Sequence, residues 1–76
     1  MRKIKMIWDF RGPDSEGIAK HHKIHLGEFA ERAKLSFFST GVEGEQQHWM
    51  AFIVVEEKDM KMVRDALRPH RGVLAD

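Results

Sequence analysis

Seventy-six residues, 42% of them hydrophobic and 33% charged, describe one small globular domain, too apolar for a disordered chain and too densely charged for a membrane protein. The formal net charge of +1 comes from 13 basic and 12 acidic residues that are well mixed, so nucleic acid has no basic footprint to meet, and the absence of cysteine removes disulfides, thiol catalysis and cysteine zinc knuckles. No apolar run approaches the roughly 20 residues of a membrane span, and Met1-Arg2-Lys3-Ile4-Lys5 lacks the apolar core of a secretory signal, which makes the cytoplasm the expected location.

In chain order, Ile4, Met6, Trp8 and Phe10 alternate with Lys5, Ile7, Asp9 and Arg11, the period-two pattern of a strand with one face buried. Asp9 and Arg11 fall near its C-terminal end, where α/β folds often hold ligands. Gly12-Pro13-Asp14-Ser15 supplies a turn and an N-cap, since Asp or Ser oxygens accept the unpaired N–H groups of a first helical turn. The helix that follows runs to about Leu35. Spaced 100° apart, Ile18, His22, Leu26, Phe29 and Ala33 form its apolar stripe, with Ala19 and Ala30 beside it.

Leu35 to Val42 reads as a second strand, and the polar, glycine-bearing Gly41 to Gln47 as a hairpin connection. His48 to Val55 is the strongest strand, apolar on both faces, as in a central strand covered from both sides. Asp59 is placed to cap a second helix, whose stripe is Met60, Val63 and Leu67 and which Pro69 stops. Gly72 to Ala75 is either a short last strand or a loose tail. The whole chain, residues 1–76, is one domain of strand, helix, strand, strand, helix and optional strand. That order predicts an α+β ferredoxin-like sandwich, βαββα(β), with two helices on one face of an antiparallel sheet and the first and third strands central. Those two strands run antiparallel, so His48 should lie near Asp9 and Arg11.

Three groups could carry chemistry. His21 and His25 are four residues apart and His22 and His25 three apart, spacings that bring imidazoles together on one helix face; a divalent metal would need a third ligand such as His48, Glu28 or Asp9. The bland alternative is a half-buried His22 hydrogen-bonded in the core beside solvated His21 and His25. Asp9, Arg11 and His48 on the uncovered sheet face could hold a small anionic or enolic substrate and move a proton, with His22, His25, Asp9 and Arg11 as the candidate catalytic set, or could be a plain solvated pair. Arg68 and Arg71 in the tail could grip a carboxylate or phosphate bidentately, or simply meet the negative end of the helix dipole.

The strand Met6-Ile-Trp-Asp-Phe10, the helix Ala19-Lys-His-His-Lys-Ile-His25-Leu-Gly-Glu-Phe29 and the strand Trp49 to Val55 together resemble small bacterial ferredoxin-like proteins of the dimeric α/β-barrel superfamily. The resemblance implies a homodimer with two sheets packed face to face and a pocket between helices and sheet. Known members include cofactor-independent monooxygenases, isomerases and haem-degrading enzymes, so both a cofactor-free site and a histidine-bound metal stay open. A helix histidine, His22 or His25, and Asp9 late in the first strand occupy the places such sites use. A purely structural or regulatory dimer is the rival from another class. The RNA-recognition fold shares the element order and would use Phe52 to stack a base, but Met50 and Trp49 stand where its pattern wants an aromatic and a glycine, and the surrounding basic charge is missing.

Overall fold

The computed structural model describes residues 2–75. Its elements are β1 (Lys3–Arg11), α1 (Ser15–Arg32), β2 (Phe38–Glu45), β3 (His48–Glu56), α2 (Glu57–Leu67) and β4 (Arg71–Leu74). The strands form one sheet in the order β2-β3-β1-β4, with every pairing antiparallel. This is the ferredoxin-like α+β arrangement that the element order predicts. The alternative left open at the C-terminus resolves to a strand: Leu74 pairs with Ile4 and Arg71 with Ile7, all on the outer edge of β1.

Strand parity sorts the side chains. Met6 and Trp8 of β1 share a face with Ala51, Ile53 and Val55 of β3, and both helices lie on that side, closing a core with Ala19, Leu26, Ala30 and Val63. The stripe that α1 buries is Ser15, Ala19, Leu26 and Ala30, with His22 half-buried among them, while Ile18 is 48% exposed. The wheel put Ile18 in the stripe, with His22 near its middle and the alanines beside it; the helix is rolled toward the alanine side, which leaves Ile18 out. Alanines have no side chain beyond Cβ, so presenting them lets α1 sit close to the sheet, and the bulkier Ile18 and Phe29 are left at the flanks. Trp8 ties the second helix down: its indole N–H donates to the carbonyl of Leu67 at 3.1 Å, satisfying a terminal acceptor of α2.

Boundaries differ from the sequence reading, and α1 ends at Arg32, short of the Leu35 expected. β2 begins at Phe38 and runs through Glu45, so most of the stretch read as a connection is strand, and Gln46-Gln47 alone turns the hairpin, Gln46 with φ 53°. Polarity misled here: β2 is an edge strand, and Glu43 and Glu45 can point from an edge into water without cost. α2 starts at Glu57 immediately after β3, so Asp59 sits inside the first turn, where a carboxylate still meets the positive end of the helix dipole. Asp14 does precede α1, but its side chain makes no capping hydrogen bond. At the other end of α2, Arg68 adopts a left-handed conformation, φ 49°, and its N–H bonds to Arg64 before Pro69. Among the described residues, no helix is long and apolar enough to cross a membrane.

Candidate functional site

The face away from the helices carries the odd-numbered side of β1. Lys5, Ile7 and Asp9 lie there, opposite Val54, Phe52 and Met50 of β3, with Ser39, Gly41 and Glu43 of β2 beyond, and Arg71 and Val73 of β4 on the other flank. No helix covers this face, yet Ile7 is only 5% exposed. Its neighbours explain why. The Phe52 ring lies down over Gly41, close enough that a Cβ built there would come within 2.6 Å of Cζ, and the Lys5 ammonium sits 4.2 Å above the ring while bonding Glu43 at 2.8 Å. Long basic side chains thus spread their methylenes over an apolar centre and keep their charges in water.

The polar end of the face is built around Asp9. Arg71 donates to its carboxylate through Nε at 3.1 Å and Nη2 at 3.2 Å, and His48 Nε2 lies 3.1 Å from Oδ1. The Arg71 bond above all holds the Asp9 carboxyl below its ordinary value; burial pushes back the other way, and His48 adds a smaller downward pull. Arg71 Nη2 also reaches Met50 Sδ at 3.0 Å. His70 extends the ladder beyond the end of β4: its Nδ1 accepts the Asp9 backbone N–H at 2.8 Å, which places the ring proton on Nε2. Beside this cluster is an open hollow of about 300 Å³ lined by Glu43, Gly44, Glu45, His48 and Met50. Another, of about 400 Å³, lies past the end of α2 at Arg64, Asp65, Arg68 and Pro69.

On the helix side the histidines divide. The His22 ring meets Trp8 edge-on at 4.9 Å between centroids and Phe10 at 5.6 Å, and its Nε2 is buried without a hydrogen-bond partner. The bland reading of His22 as a half-buried core residue fits its position; the hydrogen bond that reading supplied is not formed. Burial pushes its pKa down, with His25, His70 and His21 adding to the shift. His21 and His25 lie on the outer surface of α1 with their Nε2 atoms 2.8 Å apart.

The structure therefore joins Asp9 to His48, as the antiparallel register requires, and His21 to His25. It does not bring the two pairs together. His22 packs on Trp8 and Phe10, on the helix side of β1, whereas Asp9 and His48 belong to the uncovered side. His48 is likewise apart from His21 and His25, and among the described residues no three His, Asp or Glu side chains are placed to share a metal ion. Arg11 is exposed, and the guanidinium that engages Asp9 is that of Arg71. Sequence reasoning saw that an arginine of the tail could grip a carboxylate bidentately but favoured the helix dipole; the carboxylate is the chain's own Asp9. Only the existence of β4 could have revealed this, because the pairing of Arg71 with Ile7 is what sets it beside Asp9.

The fold and these two clusters define a small α+β domain with an uncovered sheet face. No family model, curated protein or solved structure matches the chain.

Proposed function

We propose that this protein is a homodimeric module that closes its uncovered sheet face against a second copy, as the resemblance to dimeric α/β-barrel proteins implies. The observation that supports this reading is the apolar centre of a face no helix covers, where Ile7, Met50, Phe52 and Val54 lie together beside Val73, itself 43% exposed. Thirty strand residues at about 3.3 Å rise and 4.8 Å spacing cover roughly 500 Å² in projection. That is toward the small end of specific interfaces.

The enzymatic reading and the small anionic ligand receive less support. His22 and Asp9 face opposite sides of the sheet, and the Arg71 guanidinium already holds Asp9. The test is sedimentation across the micromolar range on the wild-type chain, on Val54→Glu, and on Ile24→Glu as a control on the outer surface of α1, where Ile24 is 57% exposed. The wild type and Ile24→Glu should be dimers and Val54→Glu a folded monomer. A wild-type monomer throughout, or a dimer indifferent to Val54→Glu, would overturn the proposal.

A further inference from the structure

We propose that His21 and His25 form a surface site for a divalent transition-metal ion that prefers right-angle ligand geometry, copper(II) first and nickel(II) after it. The ion would be held by the two Nε2 atoms, with water completing its coordination. Four residues apart on α1, the two rings meet edge to face at 4.5 Å between centroids, and their Nε2 atoms approach to 2.8 Å. The distance fits such an ion. Two nitrogens each about 2.0 Å from one ion are roughly 2.8 Å apart when they subtend a right angle and about 3.3 Å apart at a tetrahedral angle. The side chains as they stand therefore have the bite of adjacent corners in a square-planar or octahedral ion, rather than that of tetrahedral zinc. Imidazole ligands and the general order of divalent affinities then put copper(II) ahead of nickel(II).

A second contact points the same way. His25 Nδ1 lies 3.3 Å from Oε1 of Glu28, one turn further along the helix. A carboxylate at that nitrogen favours the proton on Nδ1 and leaves the Nε2 lone pair facing His21, the arrangement that metal-bound histidines take from their outer partners. Without an ion, the 2.8 Å approach needs His21 to donate its Nε2 proton to His25. With an ion, neutral His21 carries its proton on Nδ1 instead, so no net proton is released from the neutral pair. Both rings lie on the solvent side of α1, away from its buried stripe, so the site is accessible and its substitution leaves the core alone.

The test is a copper(II) titration of the untagged chain by calorimetry, with electron paramagnetic resonance of the one-to-one complex. One strong equivalent should bind, with hyperfine structure from two imidazole nitrogens, and His21→Ala or His25→Ala should each weaken it at least tenfold while the circular dichroism is unchanged. Glu28→Gln should weaken it by about tenfold, the lower edge of the effect of removing an outer carboxylate. Copper binding that is absent, or that survives both histidine substitutions at full affinity, would overturn the site and leave the contact as a hydrogen bond between two solvated imidazoles.

Discussion

An imidazole set edge-on against the Trp8 indole and the Phe10 ring, with its Nε2 shut away from water, is a group that resists protonation. His22 titrates below the ordinary histidine value of 6.5 chiefly because burial disfavours the cation. The unfolded chain binds that proton more readily, so the contribution of neutral His22 is whole above about pH 6.5 and is lost as the pH falls below it. Asp9 acts in the same direction further down the scale. Held below 3.8 by Arg71, it contributes above that value and loses its contribution as the pH falls through its lowered pKa. The urea midpoint of the wild type should therefore drop between about pH 7 and pH 5, and His22→Phe should flatten the drop over that interval. An equal drop in both proteins would show that His22 is not the group responsible. The half-burial of His22 was legible in the sequence, since helical spacing alone puts it on the apolar stripe. Its aromatic neighbours were not, because they depend on how α1 is turned over β1.

At the level of elements, the β2–β3 hairpin shows how close packing can make two glycines unequal. A Cβ on Gly41 would meet only the tip of the Phe52 ring, which can swing aside into solvent. A Cβ on Gly44 would meet backbone, the His48 carbonyl and, at 2.6 Å, the Trp49 Cα, and backbone in a paired strand cannot move alone. Gly44→Ala should cost about 1–3 kcal/mol, the usual range for forced overpacking, and Gly41→Ala clearly less. Denaturant unfolding of the two variants checks this, and equal losses would contradict it. The same hairpin marks the limit of sequence reasoning. The unbroken apolar run of β3 announced itself, whereas β2 is short of apolar residues because it is an edge whose outer groups are meant for water. Of the two helices α2 is the less buried: Val63 is its only buried residue, and the Trp8 bond to Leu67 anchors its end.

For the whole molecule, the sequence carried the topology because element order and the doubly apolar β3 leave few alternatives. The register then implied the meeting of Asp9 and His48. What it could not carry was anything that depends on the last strand or on which face a helix residue meets. The candidate residues consequently divided between the two sides of the sheet, and Arg71, read as a grip for an outside anion or a partner of the helix dipole, was not connected to Asp9. If the uncovered face is the dimer seam, folding and assembly are linked equilibria, and the melting temperature should climb by a few degrees for each tenfold rise in protein concentration. The Val54→Glu monomer should melt at a fixed, lower temperature. A concentration-independent wild type would separate stability from association.

The position of β1 has a consequence for how the chain is made. Of the six elements it is made first, yet its neighbours in the sheet are β3 and β4, with Lys3 opposite Glu56 and Ile4 opposite Leu74. Neither neighbour exists until well over half of the domain has been synthesised, and the outer flank of β1 stays unpaired until β4, its last element, has been. The nascent strand must keep its alternate apolar side chains from other partners throughout translation, and native pairing, when it comes, must close the longest loops the chain contains.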